Sequence, residues 1–126
     1  MIKGMDAFGS FAVNDIERAR TFYHDTLGLE VSRSDEGLTL DVGRGNKIFG
    51  YPKPDHTPAN FTILNFPVDN VEQAVSELSA RGVRFEVYDE GELKTDERGI
   101  HRGEEGPRIA WFKDPAGNFL SVLEGK

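Results

Sequence analysis

The sequence predicts an α+β fold made of two tandem β-α-β-β-β modules, and three observations carry that reading. The first is an internal repeat. Val13-Asn14-Asp15-Ile16-Glu17-Arg18-Ala19 returns as Val68-Asp69-Asn70-Val71-Glu72-Gln73-Ala74, a shift of 55 positions (13 to 68). Self-similarity at such a distance marks two copies of one supersecondary unit. The second is a change from helical to alternating periodicity after a glycine in each copy, Gly28 in one and Gly82 in the other. The third is length. A chain of 126 residues suits one domain, whereas either half alone would be marginal. The expected domain therefore spans 1–126, with modules at 5–52 and 59–124 and a linker at 52–58.

Taken in order, Ala7 to Val13 is apolar enough for a buried strand. Asn14 reads as the N-cap of the first helix with Glu17 three residues on, and Asp69 with Glu72 repeats the pattern. Both are similar to a capping box. Ile16, Ala19, Tyr23 and Leu27 make an apolar stripe at helical spacing, as do Val71, Ala74, Val75 and Leu78. Gly28 and Gly82 end the helices. Strands over 29–33, 38–42 and 47–51 complete the first module, with 43–46 as the last hairpin turn. Strands over 83–87, 108–113 and 118–123 complete the second. There Asp114-Pro115-Ala116-Gly117 makes the turn, proline presetting one dihedral and glycine allowing a positive one. Pro52, Pro54 and Pro58 stiffen the linker. The copies differ in one place. The short connection over 34–37 becomes a long stretch over 88–107, rich in Gly, Asp and Glu, and loops of that length are either functional lids or disordered.

Composition narrows the function. The formal net charge is −7 and the sequence pI about 4.9, which disfavours a nucleic-acid role, because phosphate binding needs a basic face. With no cysteine, disulfides and thiolate chemistry are excluded. No apolar run reaches the length of a membrane span, and the first residues lack the apolar stretch of a secretion signal, so a cytoplasmic location is expected.

Phe22-Tyr23 followed by Leu27-Gly28-Leu29, the Val68-Asp69-Asn70 start of the second helix, and Trp111-Phe112-Lys113-Asp114-Pro115-Ala116-Gly117-Asn118 together resemble the vicinal oxygen chelate superfamily. That group contains glyoxalase I, bleomycin-resistance proteins, extradiol dioxygenases and related epimerases. The resemblance covers nearly the whole chain. It implies that the strands curl into an incomplete barrel around a cavity, with the helices outside. Alternation then assigns Phe11, Val13, Leu64, Phe66, Val68, Leu120 and Val122 to the helix side. It assigns Asp6, Phe8, Ser10, Ile63, Asn65, Phe119 and Ser121 to a mixed lining suited to a ligand.

The resemblance also implies where a divalent metal would sit, on the first and last strands of each module, held by His, Glu or Gln. Here those places are Phe8, Ile63, Phe49 and Ser121. Phenylalanine and isoleucine have no donor atom, and one serine hydroxyl holds no divalent ion. No cofactor is expected. The three histidines, His24, His56 and His101, show no metal-ligand spacing, although folding of the long loop over a cavity mouth would bring His101 near Glu104 or Asp6. Asp6, Asp41, Tyr51, His101 and Glu124 are the titratable groups placed to reach a cavity.

Three readings follow, in order of preference. The first is a metal-free binding protein similar to the bleomycin-resistance branch. Its apolar surface comes from Phe8, Phe49, Tyr51, Trp111 and Phe119, and its acidic balance suits a cationic or aromatic small molecule. The second is an enzyme of the same superfamily, with relocated ligands or metal-free acid/base catalysis. The third is a non-catalytic partner or sensor. The resemblance further implies a homodimer.

Overall fold

The computed structural model describes residues 1–103 and 107–124. The chain forms two compact units, Met1–Thr57 and Pro58–Lys126. The α+β class and the two-module plan are both observed. Each module holds one four-stranded mixed sheet and one helical segment.

In the first module β1 (Gly9–Val13) leads to α1 (Ile16–Arg20), followed by β2 (Glu30–Ser34), β3 (Gly37–Gly43) and β4 (Asn46–Pro52). The sheet order is β1-β4-β3-β2, with β1 parallel to β4 and the other pairs antiparallel. Phe11, Val13, Leu38 and Leu40 are buried on one face, where Phe11 meets the wholly buried Tyr23 at 5.5 Å between ring centres. That contact brings the helical segment onto the sheet. The α-helix is shorter than its stripe suggests. From Thr21 to Thr26 it widens into a π-helical turn, with Leu27 N–H donating to the Phe22 carbonyl at 3.0 Å. Consecutive rings Phe22 and Tyr23 meet edge to face in that turn at 5.2 Å. Gly28 then ends the segment at φ +81, as expected of a glycine cap.

The helix caps fall one residue later than the repeat suggested. Asp15, not Asn14, accepts from Arg18 N–H at 3.1 Å, and Asn70, not Asp69, accepts from Gln73 N–H at 2.9 Å. Both caps satisfy a third-position donor that the helix itself leaves free. The glutamates therefore serve elsewhere. Glu17 pairs with Arg33, and Glu72 with Arg102. The hairpin turn at 44–45 puts both Arg44 (φ +54) and Gly45 (φ +79) in the left-handed region, the twist that a two-residue hairpin requires.

The second module runs β5 (Thr62–Pro67), α2 (Val71–Ala80), β6 (Ile100–Arg102), β7 (Arg108–Lys113) and β8 (Phe119–Leu123), in sheet order β5-β8-β7-β6. Leu120, Val122, Ala110, Phe112 and Ile100 are buried on the helix side. Val71 N–H at the start of α2 donates to Glu124 Oε2 at 2.9 Å, which ties the helix to the end of the last strand. Asp114 sets the final hairpin. Its carboxylate accepts from the N–H groups of Ala116 and Asn118 and from Asn118 Nδ2, each at 2.9 Å.

Here the expected strands need correction. The segment 83–87 makes only a bridge, Phe85 opposite Phe112, and Glu86 N–H donates to the Trp111 carbonyl at 2.8 Å. The edge of β7 is then completed by β6, inside the stretch read as a loop, with Ile100 opposite Ala110. One edge strand is thus cut in two, and residues 87–99 leave the sheet between its halves. The acidic and glycine-rich composition of this region hid the short apolar return at Ile100. The excursion closes on itself where Tyr88 N–H donates to Thr95 Oγ1 at 3.0 Å and Thr95 N–H to the Tyr88 carbonyl at 2.6 Å.

Its far end is built around Asp96. The Asp96 carboxylate accepts from the N–H groups of Arg98 (2.9 Å) and Ile100 (3.0 Å) and lies 3.4 Å from Arg102. Burial, the largest single influence, raises its pKa, but those backbone bonds and Arg102 together leave it below the ordinary aspartate value. Glu72 is likewise lowered, by the hydrogen bond and charge of Arg102.

Three consequences can be measured. Asn70→Ala should lower stability by about 1 kcal/mol in urea denaturation, the usual cost of a lost cap. Gly37→Ala should cost more, at least about 3 kcal/mol, because a Cβ there would fall 2.2 Å from the Gly50 carbonyl oxygen. Depressed carboxyls stabilise fully above their unfolded pKa of about 4 and lose that contribution as pH falls through the lower folded value. Hydrogen exchange at Gly99 and Ile100 should therefore accelerate below about pH 4 beyond its intrinsic pH dependence. Asp96→Asn should flatten that excess.

Candidate functional site

The pleat sends alternate residues of each strand to opposite faces, so a face turned away from the helix is available in each module. In the first module Ser10, Phe49, Thr39 and Ser32 stand in one row across that face. The Phe49 ring stacks on Tyr51 at 6.5 Å and 17°. Gly37 makes room for it, since a Cβ there would lie 3.1 Å from Phe49 Cζ. Asp41 accepts from Gly43 N–H at 3.0 Å and from Lys47 Nζ at 3.3 Å, which hold its carboxyl below the ordinary value. Asp6 and Phe8 precede β1 and are exposed. The sequence thus brings Ser10, Phe49 and Tyr51 together, and leaves Asp6 and Phe8 outside the ladder.

In the second module the corresponding row is Asn65, Ser121 and Trp111. Ser121 is wholly buried and donates from Oγ to Asn65 Oδ1 at 2.6 Å. Ile63 falls at a bulge between Thr62 and Leu64, so Thr62 takes the place beside Phe119. Lys113 Nζ lies 5.0 Å from the centre of the Phe119 ring. His101 joins the same face, its ring 6.1 Å from Trp111 and its Nδ1 2.8 Å from the Lys94 carbonyl oxygen. Glu104, named beside it from the sequence, lies outside the described residues. Glu124 caps α2 and faces Arg108 at 3.5 Å, so it serves the scaffold.

Trp111 and Phe119 also line a cavity of about 380 Å³, together with Asn60, Phe61, Thr62, Tyr88 and Leu93. Tyr88 meets Trp111 edge to face at 5.9 Å. Burial, with a smaller effect of Glu86, raises the Tyr88 phenol pKa. The lining is four aromatic rings and one leucine, with the polar side chains of Asn60 and Thr62 alongside. Aromatic rings present a negative face to cations and pack edge to face or offset against other rings.

Tyr88, Leu93 and Phe61 escaped the sequence reading. A usable signal existed for two of them. Within the polar stretch Tyr88-Asp89-Glu90-Gly91-Glu92-Leu93-Lys94, only Tyr88 and Leu93 are large and apolar, and a solvated loop has no use for them.

The places that the superfamily pattern gives to metal ligands do not fit a divalent ion. Phe8, Phe49 and Ile63 offer no donor atom, and the Ser121 hydroxyl is spent on Asn65. Among the described residues no group of three or more His, Asp or Glu side chains converges elsewhere.

Comparison with known proteins agrees with this architecture. No curated protein matches the chain. Among solved structures, the fosfomycin resistance protein FosX from Listeria monocytogenes aligns with a TM-score of 0.73 at 15% identity, covering 100% of this chain and 96% of that one. TnmS3, an antibiotic binding protein from Streptomyces sp. CB03234, aligns at 0.65 and 22% identity, covering 98% of each. Lactoylglutathione lyase from Agrobacterium tumefaciens aligns at 0.69 and 19% identity, covering 97% and 94%. At these identities the likeness is one of fold. The family model of the Glyoxalase/Bleomycin resistance protein/Dioxygenase superfamily matches residues 5–122, nearly the full chain, and the protein belongs to that superfamily.

Proposed function

We propose that this protein binds a small organic molecule in the aromatic cavity of its second module and does so without a metal ion. The observation that carries the reading is the cavity itself. Its volume of about 380 Å³ lies in the range of small-molecule sites, and Phe61, Tyr88, Trp111 and Phe119 give it an apolar body beside two polar side chains. The donor chemistry supports the metal-free part, since three of the four expected ligand places cannot coordinate. Relatives of this fold include an antibiotic binding protein and an antibiotic resistance protein, so a binding role has precedent within the architecture.

The guest is an aromatic or cationic molecule. Ring faces attract both, and the net charge of −7 favours a cation. Lys113 already occupies a position over Phe119, so a cationic centre would be better received near Trp111 and Tyr88.

Trp111 is the single tryptophan, so its fluorescence reports on the cavity alone. Titration with a panel of flat aromatic probes, neutral, anionic and cationic, should give saturable quenching. Tyr88→Ala and Phe119→Ala should each weaken the best probe about ten-fold, equivalent to about 1.4 kcal/mol. Unchanged affinity in both variants would remove the cavity from consideration. The metal-free reading has its own check: nickel, manganese, iron and zinc should leave the melting temperature where chelator leaves it. A chelator-reversible rise would return a metal-dependent enzyme to first place.

A further inference from the structure

We propose that residues 88–99 are a strap that closes the aromatic cavity, fastened to helix α2 by Arg98 and Arg102, so that these two arginines govern how readily the cavity opens. The role in admitting a guest rests on the reading of that cavity as a ligand site.

The strap straddles the edge of the sheet. On the face turned away from α2, its Tyr88 and Leu93 line the cavity beside Trp111 and Phe119. On the helix side, Arg98 Nη2 donates to the Glu72 carbonyl at 3.1 Å and to Ser76 Oγ at 2.7 Å. Arg102 Nη2 pairs with Glu72 Oε2 at 2.6 Å and with Asp96 Oδ2 at 3.4 Å. The two ends are mechanically joined. Thr95, buried, holds both the N–H and the carbonyl of Tyr88 and stands next to Asp96. His101 adds a third tie through the Lys94 carbonyl. Movement of the fastened end therefore reaches the ring that covers Trp111.

The fastening is weak by construction. The side chains of Arg102 and Glu72 keep 39% and 45% of their exposure, and exposed pairs of this kind contribute little and are screened by salt. The sheet beneath is held by backbone ladders, between β7 and β8 and, beyond the bulge at Ile63, between β5 and β8. Local opening of the strap without unfolding of the module is the expected low-energy motion.

The test is acrylamide quenching of Trp111 in the full chain without any guest, at low salt and at about 0.5 M sodium chloride, where the screening length falls to about 4 Å and exposed pairs weaken. Quenching of the unaltered protein should rise with salt. Arg98→Ala and Arg102→Ala should each raise it about two-fold at low salt, and Arg102→Ala, which removes both ion pairs, should also flatten the salt response. Lys53→Ala, which breaks the exposed Lys53–Asp55 pair in the other module, should do neither. Hydrogen exchange should quicken in 88–99 and not in β7 or β8. Quenching in the two arginine variants equal to that of the unaltered protein, the same rise in Lys53→Ala, or faster exchange throughout β7 and β8 would each overturn the strap. Because no guest is used, a protein that binds none of the probes can still show the strap, and a binding protein can lack it.

Discussion

The second module depends on a single edge, that of strand β7. Phe112 faces Phe85 and Ala110 faces Ile100, so two separate pieces of chain complete one ladder. The sheet stays four strands wide, yet the chain between the two pieces is released from it. Backbone groups that would otherwise be committed to pairing are free to form the Tyr88–Thr95 closure and the bonds around Asp96. The cavity wall exists because that edge is interrupted and then resumed in register.

The pleat does the rest. Phe112 and Ala110 point toward the helix and are wholly buried, while Trp111 between them points the other way. A one-residue slip in β7 would exchange the core for the cavity lining. Asp114 and Asn118 guard against it. Their mutual hydrogen bonds fix the turn that joins β7 to β8. In the first module the equivalent division places Phe11, Leu38 and Leu40 in the core and Ser10, Phe49 and Thr39 on the opposite face.

The fold was legible because its signals are local and doubled. Glycines at 28 and 82, the apolar stripes and the final Asp-Pro-Ala-Gly turn each constrain the backbone directly, and the repeat confirmed them against one another. The helix caps were displaced by one residue because Asn14-Asp15 and Asp69-Asn70 both offer two capable side chains in succession. Choosing between them depends on backbone dihedrals that composition does not carry. The split edge was missed for a related reason. Pairing of Ile100 with Ala110 is non-local, and three residues of strand inside a polar stretch give no periodicity to detect. At the site, Trp111 and Phe119 were found from their strands, whereas Tyr88 and Leu93 belong to a segment whose position follows from that same non-local pairing.

The bulge at Ile63 changes what a face presents by shifting the register of β5 on β8, whereas the divided edge leaves the β7 ladder in step. The excursion goes further, since it leaves and rejoins β7 at neighbouring positions. Its length is therefore decoupled from the register of the sheet. Segments of different size and chemistry could be grafted between Val87 and Gly99 while the scaffold kept its pairing. That makes the wall of the cavity an exchangeable part, separable in length and composition from the sheet that carries it.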